Sequence, residues 1–137
     1  MLFCLAEDFL SRKITSLVNS GSLIPMNGPS NVVFPSHLFY INDILIFCKA
    51  SYSNIAILTS VFETYGLLSG QRVNWVKSEM FLSSGIPIAR ANALRTRAGM
   101  CPGTFPFTYL GVPMFVGAPK ARWLKPTADH ILAKMDS

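Results

Sequence analysis

Acidic residues are scarce in this chain: seven Asp and Glu stand against twelve Lys and Arg. The imbalance is local. Residues 1–69 hold three basic and four acidic side chains, a net −1, whereas residues 70–137 hold nine and three, a net +6. A nearly neutral, apolar half beside a basic half is compatible with a polyanionic partner, though charge alone favours an ordinary basic surface. Charged residues make up 14% of the chain and hydrophobic ones 50%, which excludes a disordered polypeptide and fits a globular one.

Long apolar runs are missing too. Asn42 and Asp43 break the most apolar segment, so no stretch approaches the ~18 residues of a transmembrane helix. Met1–Ala6 lacks a basic flank and runs directly into Glu7–Asp8, which argues against a signal peptide. The three cysteines, Cys4, Cys48 and Cys101, stand far apart and share no ligand spacing, so neither a disulfide framework nor a zinc site is expected. A reducing, intracellular setting, nuclear or cytoplasmic, is the default. His37 and His130 are isolated and suggest no catalytic role. Repeats, low-complexity tracts and interdomain linkers are absent, and 137 residues suit one domain that buries about two-thirds of its unfolded surface.

What is present centres on residues 37–49. Two β-favouring runs, His37–Ile41 and Ile44–Phe47, flank the polar pair Asn42–Asp43, which reads as a tight hairpin turn within about residues 36–48. A carboxylate at such a tip is held rigidly and projects from the sheet. Before it, Leu2–Val18 reads as an amphipathic helix with Leu2, Leu5, Phe9, Ile14 and Leu17 on one stripe and Gly21 as its cap. Residues 24–35 are punctuated by Pro25, Gly28, Pro29 and Pro35, predicting a loop with a short edge strand at Val32–Phe34. After the hairpin, Ser53 is the expected N-cap of a helix over Asn54–Leu68, with Leu58, Val61, Phe62, Tyr65 and Leu68 inward. A strand is expected over Val73–Ser83. A helix opened by Pro87 should run to Ala98, with Arg90, Arg95 and Arg97 on its wet side and Gly99 as its stop. Pro106 and Pro113 confine Phe105–Phe115 to an edge hairpin, and a last helix is expected over Ala121–Met135, allowing a late start after Pro126. The order predicts an α+β layout.

Several of these stretches resemble, in the same order, the reverse transcriptases of LINE-type (non-LTR) retrotransposons abundant in plant genomes. Phe39–Tyr40–Ile41–Asn42–Asp43–Ile44–Leu45–Ile46–Phe47 looks like the Tyr-x-Asp-Asp segment of the palm. Leu2–Arg12 resembles the helix that begins just after the family's Pro-Leu-Ser-Pro turn. Ser69–Asn74 with Lys77–Ser78 resembles the next motif, whose lysine lies near the incoming nucleotide. Phe107–Pro113 resembles the segment that grips the primer end, and Gly117–Lys120 with Ala128–Asp129 continues toward the thumb. The resemblance spans nearly the whole chain.

It implies a partial polymerase palm over residues 1–104, from after the first catalytic strand, then a primer-grip-like hairpin and the start of a thumb over 105–137. The implied activity is RNA-directed DNA polymerisation, in which two Mg²⁺ ions activate the primer 3′-hydroxyl and stabilise the leaving pyrophosphate. Mg²⁺ prefers carboxylate oxygens on rigid elements, and the family supplies one Asp from an upstream strand and two from the hairpin tip. Carried onto this chain, Asp43 is the remaining metal ligand and Lys77 the nucleotide-side lysine. Asn42 stands where a ligand is lost. Tyr109, Leu110 and Gly111 are the nucleic-acid contacts that the resemblance implies, to RNA or an RNA–DNA duplex; Arg90, Arg95 and Arg97 read independently as a solvated helix face whose side chains are also the ones that would meet phosphate. Residues 1–137 do not include the upstream Asp strand or the fingers, so the expectation is a truncated, inactive reverse-transcriptase fragment that does not bind Mg²⁺. The alternative is a non-catalytic nucleic-acid-binding module that uses the basic C-terminal half. Loss of the neighbouring strand would also leave a sheet edge unpaired and an apolar face uncovered.

Overall fold

The computed structural model describes residues 2–28, 34–118 and 121–135, the side chains of Leu2, Phe3 and Trp123 excepted. Two long helices and a hairpin form the main core. Helix α1 (Leu2–Asn19) buries Ile14 and packs Leu17 on the core, as the expected stripe requires, but Leu10 takes the remaining inward place and Leu5 and Phe9 are left largely exposed. Gly21, at φ 74°, follows the helix and donates its N–H to the Val18 carbonyl at 3.0 Å. Val32 and Val33 of the expected edge strand lie outside the described residues; Phe34 is in no strand.

Strands β1 (His37–Tyr40) and β2 (Asp43–Ile46) form an antiparallel hairpin in which His37 faces Ile46, Phe39 faces Ile44 and Tyr40 faces Asp43. The turn is therefore Ile41–Asn42, one residue earlier than expected, and Asp43 is the first residue of a strand. Ile41 adopts φ 51°, a left-handed conformation that a β-branched residue disfavours. Side chains alternate across the pleat, so Phe39, Ile44 and Ile46 pack on the helices while Leu38 and Tyr40 stay exposed.

Helix α2 (Tyr52–Ser69) starts two residues before the expected point. Its N-cap is Ser51, whose hydroxyl accepts from the Asn54 N–H at 3.3 Å, and its C-cap Gly70 is left-handed. Val61, Phe62 and Tyr65 join Leu10, Ile14 and Leu23 in the core, whereas Leu68 is 69% exposed and lies off the stripe.

The strand expected over Val73–Ser83 does not form as such. Asn74 accepts from the Lys77 N–H through its side chain and closes a 3₁₀ turn, Trp75–Lys77, leaving a two-residue strand β3 (Glu79–Met80). A short polar side chain that satisfies the backbone locally offers it an alternative to a ladder. Trp75 then meets Phe62 edge-on at 5.7 Å. Helix α3 (Ile88–Ala98) begins one residue after Pro87 and ends at left-handed Gly99; Leu94 and Ala98 pack with Ile55 of α2 in a second small core. Strand β4 (Cys101–Pro102) pairs in parallel with β3.

Strands β5 (Phe107–Tyr109) and β6 (Val112–Met114) form the second antiparallel hairpin, turning through Leu110 (φ 53°) and Gly111 (φ 79°). Because its sheet has two strands, Pro113 occupies an edge, as its missing N–H requires. Helix α4 (Ala121–Met135) does not start late: it runs through Pro126, and Thr127 donates its hydroxyl to the Gly111 carbonyl at 3.3 Å. Pro119 and Lys120 of the thumb-like motif lie outside the described residues. The described chain is mixed helix and strand, with three separate two-stranded sheets.

Candidate nucleic-acid interface

The two hairpin turns carry the residues on which a function would rest. At the first, Asn42 sits in the turn and Asp43 opens β2; both are exposed. At the second, Tyr109 ends β5 and Leu110–Gly111 make the turn. The hairpins share a design: a bulky aliphatic residue at positive φ, exposed at the apex, preceded by a tyrosine. Ile41 is 61% exposed and Leu110 51%.

Electrostatics link the two hairpins. Burial, and after it the Asp43 carboxylate, push the Tyr109 phenol above the ordinary tyrosine range. The Tyr109 hydroxyl is buried and has no hydrogen-bond partner among the described residues.

The basic residues do not assemble as expected. Lys77 is exposed at the end of the 3₁₀ turn, presented there by the Asn74 cap. Arg90 and Arg97 are seven residues apart on α3 and both exposed, but they have different neighbours. Arg90 donates to the Ala50 carbonyl at 3.2 Å, while Arg97 lines a shallow groove of about 290 Å³ with Ala56, Thr59, Ser60 and Glu63 of α2. Arg95 is half-buried, with no partner for its Nε–H among the described residues, and is not on the wet side. The three arginines are therefore not one cluster.

The Mg²⁺ pair implied by the resemblance does not fit the residues present. Asn42 offers a neutral amide oxygen, Asp43 a single carboxylate. Among the described residues, no group of three or more His, Cys, Asp or Glu is placed to hold a metal ion. The three cysteines are free, and no described helix is long and apolar enough to cross a membrane.

Sequence reasoning passed over the residue that anchors the first hairpin. Asn54 is fully buried; its Oδ1 accepts from the Ile24 N–H, and its Nδ2 donates to the carbonyls of Ile24 (2.8 Å) and Lys49 (2.9 Å). It thereby clamps the base of the hairpin, where Pro25 bridges Cys48, to the start of α2. An asparagine three residues after a serine cap carries no distinctive signal of this. His37 is likewise less isolated than its place in the sequence suggests: Ser11 and Ser36 hydroxyls lie 2.7 Å from its Nε2 and Nδ1, tying α1 to β1. No protein family, curated protein or solved structure matches this chain.

Proposed function

We propose that these 137 residues are the C-terminal part of a reverse-transcriptase-type palm with the start of a thumb, and that as they stand they do not polymerise. The observation that carries the reading is the first hairpin, a two-residue turn that sets Tyr40 opposite Asp43 with Asn42 at its apex. Support comes also from two later elements in chain order: an exposed lysine held by an asparagine cap, then a second hairpin turning at Leu110–Gly111. The inactivity follows from charge. One carboxylate and one neutral amide cannot offset two divalent cations, and Mg²⁺ sheds its water reluctantly for weaker ligands.

Primer extension tests the activity claim. Purified chain should give no chain-dependent product from an RNA template, primer, Mg²⁺ and dNTPs, and any such product overturns inactivity; its Asn42→Asp variant should give none either, because the third carboxylate that the family supplies is not restored. Photo-crosslinking tests the family claim. With p-benzoylphenylalanine replacing Tyr109, adducts should concentrate at the primer-terminal nucleotides, and an even distribution or no adduct overturns it.

The second reading, a non-catalytic nucleic-acid-binding module, is favoured by the exposure of Lys77, Arg90 and Arg97 in the basic half. It predicts binding to RNA or RNA–DNA duplex that weakens with salt, because each phosphate contact releases counterions. Replacing one contacting arginine should reduce the salt slope by about one. Binding that is absent or indifferent to salt rejects this reading.

A further inference from the structure

Three phenylalanines gather apart from the main core. Phe81, just beyond β3, stacks on Phe107 at 3.9 Å between centroids and 25° between planes. Phe105 closes the group at 5.4 Å from Phe81 and 5.7 Å from Phe107. Gly103 backs the cluster: a Cβ built there would lie 2.5 Å from the Phe81 ring, so the backbone passes closer than any side chain permits. Ring stacks prefer particular offsets and tilts, so the cluster fixes orientation as well as burying area.

Phe107 and Tyr109 are alternate residues of β5, both half-buried, with Thr108 exposed between them. Alternate strand residues share a face, so a ring that fixes Phe107 also fixes the direction of Tyr109. From Phe81 the chain runs back four residues to Lys77. The stack thus joins the segment carrying the lysine to the hairpin carrying the tyrosine, across residues 82–106.

We infer that Phe81 is a positioning residue: its stack on Phe107 sets where the Tyr109–Leu110–Gly111 turn stands relative to Lys77 and to the Asp43 hairpin. The functional half of this statement rests on the reading of that turn as a nucleic-acid contact. The positional half does not. Loosening the stack should leave the helical core folded, free the second hairpin, and weaken nucleic-acid binding without changing the number of phosphate contacts.

The test uses the full chain with 3-fluorotyrosine at position 109, read by fluorine NMR in wild type, Phe81→Leu and Phe81→Tyr. In Phe81→Leu the resonance should move toward that of a solvent-exposed fluorotyrosine and its titration should fall toward the ordinary value. Phe81→Tyr, which keeps the ring, should restore both. If Phe81→Leu does not fold, Phe81→Met is read in its place, because its flexible side chain fills the gap without a ring. An unchanged Tyr109 signal in a folded variant without the ring overturns the inference. Binding of an RNA–DNA primer duplex is measured on the same proteins. The Leu or Met variant should bind about three- to tenfold more weakly at unchanged salt slope, the range of one aromatic pair. No duplex binding by wild type would sink the nucleic-acid reading while leaving the NMR result to decide the positional one; equal binding with a displaced Tyr109 overturns the functional half.

Discussion

The Tyr109 phenol stands under the influence of the Asp43 carboxylate, a residue of the other hairpin 66 positions earlier in the sequence. Burial is the larger cause of its raised pKa and the carboxylate the second. Asp43→Asn should therefore lower the Tyr109 titration toward the ordinary tyrosine range without bringing it all the way there. Nuclear magnetic resonance of ring-labelled tyrosine reads this directly, and an unmoved titration would separate the two hairpins. The same shift fixes a sign for stability. At alkaline pH the unfolded chain ionises this phenol first, so folding stability falls as pH rises from the ordinary tyrosine value to the raised one, and less so in Asp43→Asn.

How much of this was legible in the sequence depends on what kind of force set each feature. The hairpins, α1, α2 and α3 were readable because apolar periodicity and Gly or Ser caps mark them locally, as Gly70 and Gly99 do. The turn at Ile41–Asn42 was not, because local preference argues against a left-handed isoleucine and favours Asn42–Asp43 instead. The 3₁₀ turn after Asn74 is a competition between a side-chain cap and a strand, which composition does not decide. Arg90, Arg95 and Arg97 look alike in one dimension, and packing of α3 on α2 separates them. The link between Asp43 and Tyr109 is tertiary throughout and has no signature in either motif.

Asn54 makes three hydrogen bonds to backbone groups of Ile24 and Lys49 from a fully buried side chain. Asn54→Ala would remove the side-chain partner of the Ile24 N–H and the Lys49 carbonyl, while the Ile24 carbonyl keeps the Lys49 N–H at 3.0 Å, and groups left unpaired cost about 1–3 kcal/mol each where water cannot reach them. We expect a loss of about 2–4 kcal/mol in urea unfolding, at the large end for a single substitution. Asn54→Asp should also destabilise, because a carboxylate cannot donate to those carbonyls. A loss below about 0.5 kcal/mol would mean the base of the hairpin is held by something else.

Gly103 offers a cleaner steric test. Its substitution by Ala places a methyl group against the stacked ring of Phe81, and overpacking of this kind costs about 1–3 kcal/mol. Pairing Gly103→Ala with Phe81→Leu should recover part of that loss, since the smaller side chain yields the space. Additive losses in the double variant would show that the two residues do not touch.

His37 supplies an acid-side prediction. Burial lowers its pKa below the usual histidine value, so the neutral ring, bracketed by the hydroxyls of Ser11 and Ser36, is the form the fold prefers. The unfolded chain takes up the proton first as pH falls below about 6.5. This contribution to stability is therefore complete above that value and is lost as pH descends through the lowered one. Thermal melts at about pH 7.5 and pH 5, on either side of the ordinary histidine value, should show a larger drop for wild type than for His37→Gln, which carries no titrating ring. Ser11→Ala should destabilise at both values by removing the tie between α1 and β1, leaving the pH-dependent part in place. Equal acid sensitivity in wild type and His37→Gln would assign the pH response to other groups, and His37 would then be no more than a hydrogen-bonded spacer between the first helix and the hairpin.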